Sequence, residues 1–309
     1  MDAQFAFSNL DSFVPALEIK RRVEQVYELP PMPDMAISIL KLKNNSDATM
    51  LDLSQLVEMD PSLAAQVIRY ASSPFFGYGG KISTIKEAIA RVLGYDLVMN
   101  IALGICTAKA FRNPLDGPLG LRAYWRHATY AAALAQLLAK ALPKNMSVNP
   151  GMAYLAGLLH NFGFLLLGHL FQPEFFLLNK VVASHPEMPI TAIERQVLGM
   201  GQAKDLMVLG HASIGAWLME AWNMPQEIVV SVREHHDEQY DGEHALYAKL
   251  VFLANVLLKA NGIGESTIAE IPPMLLLELG ISEKQALQAM QEILSAAQHL
   301  DAMAHALAA

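Results

Sequence analysis

The chain has 309 residues, a formal charge of −8 and 53% apolar residues, with a mean hydropathy of +0.27. This acidic balance leaves little to neutralise a phosphate backbone, which argues against nucleic-acid binding as the main function, while the apolar share is enough for a large core. The single cysteine, Cys106, excludes an intrachain disulfide, and a chain opening Met1, Asp2, Ala3, Gln4 without a basic leader is expected in the reducing cytoplasm.

Residues 1 to 13 read as a loose arm. Pro15 suits a first helical turn, and Ala16 to Leu29 carries Leu17, Val23, Val26 and Tyr27 among charged residues, which predicts an amphipathic helix. Pro30, Pro31 and Pro33 end it, and Pro33 with Asp34 opens the next, with Met35, Ile39 and Leu42 at helical spacing. After a loop at Asn44 to Asp47, a helix is predicted over Leu51 to Met59. Asp60 before Pro61 reads as an N-cap and first-turn proline for a helix to about Ala71. Ser73, Pro74, Gly77, Gly79 and Gly80 form an irregular loop that bears Phe75, Phe76 and Tyr78. Thr84 with Glu87 predicts a capping box, Gly94 a C-cap, and Tyr95 to Phe111 a further helix.

Pro114, Gly117, Pro118 and Gly120 make the clearest break, which sets a boundary between an N-terminal helical subdomain over 15–118 and a second helical subdomain over 119–262. An alanine-rich helix from Leu121 to Leu142 carries His127. After the loop from Pro143 to Pro150, another helix delivers His160 and Asn161. Thr191 with Glu194 predicts a second capping box, and His211 opens an apolar helix through Trp217 and Trp222. Pro225 starts a helix ending in Glu234, His235, His236 and Asp237, and Glu243 to Lys259 presents Asn255. The extension over 263–309 is punctuated by Ile271, Pro272 and Pro273, and Ser282 with Gln285 caps a final helix expected to pack on its own bundle. No period-two alternation persists and no repeat is found, so the fold class is all-α.

Gly151 to Phe171 holds no charged residue and is about as long as a bilayer span. His160, Asn161 and His169 would be costly in lipid, and Gly157, Gly163 and Gly168 suit a close-packed, broken helix pair, so buried core rather than membrane is expected. Neighbouring residues on a helix point ~100° apart, so His160 and Asn161 can reach one pocket while their leucine neighbours are buried. Polar groups on separate segments that can join them are His127, His211, His235, His236 and Asn255.

That set resembles the HD superfamily of metal-dependent phosphohydrolases, in which a histidine, a His-Asp doublet and a later aspartate hold a divalent metal. Here the doublet is His160 with Asn161, and Phe252, Leu253, Ala254, Asn255 also carries Asn in place of Asp. With Leu29, Pro30, Pro31, Met32, Pro33 and the Asp60 and Pro61 helix start, the pattern is identified as the HDOD branch, over roughly residues 22 to 260. The resemblance implies an HD-like helical bundle packed against the N-terminal helical subdomain. It also implies that His127 and His160 stand at first-metal positions and that His211, His235 and His236 match the extra ligands of two-metal relatives. Asn161 and Asn255 keep an acceptor oxygen without its charge, and an amide is a poor bridge between cations. The leading expectation is a non-catalytic bacterial signalling module with a degenerate metal site, whose partners are other signalling proteins or a second copy in a homo-oligomer. One alternative is a metal-dependent phosphohydrolase acting on a nucleotide or cyclic dinucleotide. The other is a metal- or ligand-sensing module. Imidazoles alone suit Zn, Ni or Fe, and Mn or Mg would need more oxygen ligands.

Overall fold

The computed structural model describes residues 29–146, 148–197, 210–265 and 270–308. The arm and all but the last residue of the helix expected over Ala16 to Leu29 lie outside them. Among the described residues every regular element is helical, as the lack of alternation requires.

The N-terminal part comprises α1 (Asp34–Lys43), α2 (Met50–Glu58), α3 (Pro61–Ala71), the short α4 (Ile85–Ala88) and α5 (Tyr95–Ala108). Their starts are fixed locally. The Asp60 carboxylate accepts from the N–H groups of Ser62 at 3.0 Å and Leu63 at 3.1 Å, and Thr84 accepts from Glu87 N–H at 3.1 Å. Helix α5 stops a turn earlier than expected. Phe111 leaves the helical path and packs its ring 5.7 Å from Phe162 and 5.8 Å from Trp222, a gain that outweighs one more turn of backbone bonds.

The second part is built on α6 (Leu121–Ala141), against which α7 (Pro150–Leu159) lies along most of its length. Alanines on α6 allow that close approach. Helix α8 (Phe162–Leu170) follows after a break at His160 and Asn161. The apolar span Pro150–Leu170 is long enough to cross a bilayer, but its most apolar stretch is wholly buried inside the fold. Each fully buried Tyr154, Phe162 or Phe164 contributes on the order of 1.5–3 kcal/mol of hydrophobic stabilisation. Gly163 is required sterically, since a Cβ there would collide with the His211 backbone carbonyl, and this close approach seats α11 (Gly210–Ala221) on α8.

Between them run α9 (Gln172–Ser184) and α10 (Ile190–Val197). The second capping box is not formed. The Pro189 carbonyl accepts from Ala192 and Ile193, so the helix opens at Ile190 and Thr191 lies inside it, while the Glu194 carboxylate turns away to His211. Helices α12 (Gln226–Glu234) and α13 (Ala245–Ala260) complete the bundle, and the Trp222 indole N–H donates to the Pro30 carbonyl at 2.9 Å, tying the proline-rich segment to α11.

The extension forms α14 (Pro273–Leu279), α15 (Glu283–Ser295) and α16 (Ala297–Ala308). Ser282 and Gln285 make both halves of the predicted capping box, and the single final helix of the sequence reading is broken at Ala296. Helix α16 packs in cis on α6, where Asp301 accepts from Arg126 Nε and the Tyr130 hydroxyl, each at 2.9 Å. One hydrophobic core runs from Met32 to Ala308.

Candidate metal centre

The seven polar positions singled out in the sequence meet inside the bundle. His127 comes from α6, His160 caps the C-terminal end of α7, and Asn161 comes from the bend before α8. His211 opens α11, His235 and His236 follow α12, and Asn255 lies within α13. All are buried except His236, which is partly so. Helix ends concentrate here because a bend or terminus lets a buried side chain reach inward without breaking the apolar stripe of its own helix.

The imidazoles face one another through Nε2. His127 Nε2 lies 3.3 Å from His160 Nε2, and His211 Nε2 lies 3.2 Å from the Nε2 atoms of both His235 and His236. His160 and His235 join the two groups, with ring centroids 4.9 Å apart. On the far side of the rings, His160 Nδ1 is 2.7 Å from the Gly157 carbonyl, His235 Nδ1 is 2.8 Å from the Val232 carbonyl, and His211 Nδ1 is 2.8 Å from Glu194 Oε1. Those oxygens only accept, so each Nδ1 carries a proton and each Nε2 is turned to the centre, where the neutral form of the ring offers a lone pair.

The Nε2 atoms of His211 and His235, 3.2 Å apart with both Nδ1 atoms held by acceptors, repel as lone pairs unless a cation or a proton sits between them. Protonation is opposed. Burial and then the neighbouring His127 push His160 down to about 3, and burial with the surrounding imidazoles holds His235 and His236 well below the usual histidine value. Burial lowers His127 as well. Neutral imidazole is the form that binds a metal, and an anchored Nδ1–H is the usual support of a metal-ligating histidine. The donor set therefore fits a transition-metal ion such as Zn, Ni or Fe. His211, His235 and His236 form its tightest group, with ligand atoms all within 4.8 Å of one another. Unpartnered buried atoms point the same way: Asn161 Oδ1, both amide atoms of Asn255 and His127 Nδ1 make no hydrogen bond, and each such group costs about 1–3 kcal/mol when left unsatisfied.

Two carboxylates at this centre were not singled out as parts of a site. Glu194, read as a capping residue, receives both the backbone N–H of His211 at 3.0 Å and its ring Nδ1. Glu265, beyond the span of the resemblance, is buried and paired with Lys259 Nζ at 2.8 Å. Burial alone would raise its pKa, but the Lys259 ammonium beside it holds it well below the usual carboxylate range. Neither had a local signal in the sequence. By contrast Asp237, adjacent to the histidine pair, is exposed and caps a turn by accepting from Gln239 N–H at 2.9 Å. A cavity of about 180 Å³ opens beside His127, with Asn161, Tyr124, Phe164, Gly264 and Glu265 in its wall. The Phe164 ring stacks on His211 at 3.9 Å and keeps that side dry.

An all-helical bundle with converging imidazoles at its helix ends places the protein among HD-like helical proteins. More narrowly, the chain belongs to the HDOD domain family, whose profile matches residues 29–238. The match ends before Asn255 and Glu265. Over 93% of its length the chain is 36% identical to a protein from Marinobacter aquaeolei VT8 named for signal transduction, with a TM-score of 0.79, and it covers 61% of that protein. A protein from Shewanella amazonensis SB2B named as a phosphohydrolase shares the fold, with 21% identity, a TM-score of 0.69 and coverage of 94% of this chain and 97% of that one. An uncharacterized protein of Treponema pallidum (strain Nichols) is 24% identical over 272 residues, 88% of this chain, which spans half the length of that relative.

Proposed function

We propose that this HDOD chain is a bacterial signalling module that holds a divalent transition-metal ion in its histidine centre and acts through contacts with other proteins rather than by turnover. The observation that carries this reading is the set of Nε2 lone pairs on His160, His211 and His235, each fixed by an acceptor on Nδ1. His127 and His236 complete the donor set. Such an ion, when bound, supplies Lewis acidity and a fixed charge that locks α6, α7, α11 and α12 together, which suits a conformational reporter.

Two features weigh against catalysis. The positions that resemble the metal-holding aspartates carry Asn161 and Asn255, whose amides bring no charge to hold a second ion. The cavity beside them, about 180 Å³, is smaller than the ~300 Å³ typical of small-molecule sites, which counts against a nucleotide or cyclic dinucleotide enclosed within it. The test is an assay of phosphodiesterase and phosphatase turnover on nucleotides and cyclic dinucleotides with Mg, Mn, Ni or Fe present. No turnover above the protein-free rate is expected. Turnover that disappears in His160→Ala would overturn the reading in favour of a phosphohydrolase.

A further inference from the structure

The HDOD-matched segment ends at residue 238, yet the centre has another wall made by the chain after α13. Gly262, Ile263, Gly264 and Glu265 cross the mouth of the cavity beside His127. Gly264 has φ +127, and a Cβ there would lie 3.1 Å from His127 Nδ1 and 3.2 Å from its Cε1, so only a residue without a side chain lets the backbone lie flat on that ring. The next residue, Glu265, is thereby delivered to the centre as a buried carboxylate. Its one ion-pair partner among the described residues is Lys259, the penultimate residue of α13 and itself largely buried.

A carboxylate at this position supplies what the two amides lack. Imidazole ligands carry no charge to offset a divalent ion, and one buried carboxylate in the cavity wall it shares with His127 supplies half of that charge. We infer that Glu265 is the anionic group of the metal centre, taking the part that aspartate plays in the metal-binding relatives, and that Lys259 is the internal cation competing for it. Without metal the ammonium neutralises Glu265. With metal bound, the carboxylate turns to the ion and Lys259 gives up its share. This rests on the proposed metal-holding role, and it makes the region after residue 260 part of the site rather than an appendage.

The two residues are opposed in sign, which separates this role from a structural salt bridge. Zn2+ alone is titrated calorimetrically at pH 7 into the full chain as wild type, Lys259→Met, Glu265→Gln and the double variant Lys259→Met with Glu265→Gln. Lys259→Met is expected to bind about 10-fold more tightly than wild type, because the competing charge is gone and the stem still fills its space. Glu265→Gln is expected to bind about 10-fold more weakly, in the range found when a supporting partner of a metal site is removed. The double variant leaves neither charge buried without a partner, so it keeps the comparison valid where Glu265→Gln alone does not fold. It is expected to bind at least 10-fold more weakly than Lys259→Met. Equal affinity of the double variant and Lys259→Met, or weaker binding by Lys259→Met than by wild type, would overturn the assignment while leaving the histidine centre standing. A wild type that binds no Zn2+ overturns both.

Discussion

The two sides of the centre differ in how far they are finished. On the side of His211 and His235, each ring is held by an acceptor on Nδ1, and His211 Nε2 lies 3.2 Å from the Nε2 atoms of both His235 and His236. On the side of His127, Asn161 and Asn255, His127 Nδ1, Asn161 Oδ1 and both Asn255 amide atoms are buried without a partner. The contrast teaches that donors and charge are separable. One side has its lone pairs preset, whereas the other keeps the polar shape of a ligand set in which amides stand at the positions resembling carboxylates.

The largest expected effect comes from acid. The folded state holds His160, His235 and His236 neutral with depressed pKa values, so between about pH 6.5 and the folded values the unfolded chain binds more protons. Stability is then fully present above about pH 6.5 and is lost as the pH falls, at roughly 1.4 kcal/mol per pH unit for each buried histidine. Urea unfolding of the metal-free protein at pH 7, 6 and 5 measures this. A flat profile would mean the rings are accessible to protons.

Next in size, His235→Ala removes the ring that touches both His160 and His211. Metal affinity should drop by more than about 100-fold, above the range for supporting partners. His127→Ala, on the less anchored side, should cost less. Equal losses in the two calorimetric titrations would erase the distinction between the sides.

Glu194→Gln tests the anchored side through its support. An amide can still accept from His211 Nδ1–H, but the charge that raises the basicity of the ring is gone, so affinity should fall by about 10-fold with little change in fold. An unchanged affinity would reduce Glu194 to a structural contact.

The smallest effect is a coupling. If Asn161 and Asn255 share the unfinished side, Asn161→Asp with Asn255→Asp should raise metal affinity by more than the sum of the two single changes, by over the ~0.5 kcal/mol within which distant sites add. The metal-free double variant should be less stable than wild type, because two carboxylates repel and lose solvation in a buried pocket. Strictly additive affinities in the four titrations would separate the two positions.

Much of this was legible from residue types. Proline and glycine punctuation together with Asp60, Thr84 and Ser282 caps marks helix ends because those effects are local, acting within a turn. The imidazole positions were legible because each is a polar residue in an apolar run, which demands a partner. What the chain hides is where carboxylates go. Glu194 sits three residues after Thr191, a spacing that fits a capping box, and only the approach of α11 decides that it serves His211 instead. Glu265 follows two glycines in a segment with no periodicity, and its burial depends on Gly264 lying against a ring 137 positions earlier in the chain, a contact with no local trace.

The most direct test of the histidine centre is metal analysis of protein purified without added metal, joined to X-ray absorption at the edge of whatever metal is found. The account predicts close to one Zn, Ni or Fe ion per chain, a first shell dominated by imidazole nitrogen at about 2.0–2.1 Å if the metal is zinc, and loss of the signal in His235→Ala. A chain that carries no metal and takes none up from Zn, Ni or Fe solutions, or an ion bound mainly by oxygen and unaffected by His235→Ala, would contradict it.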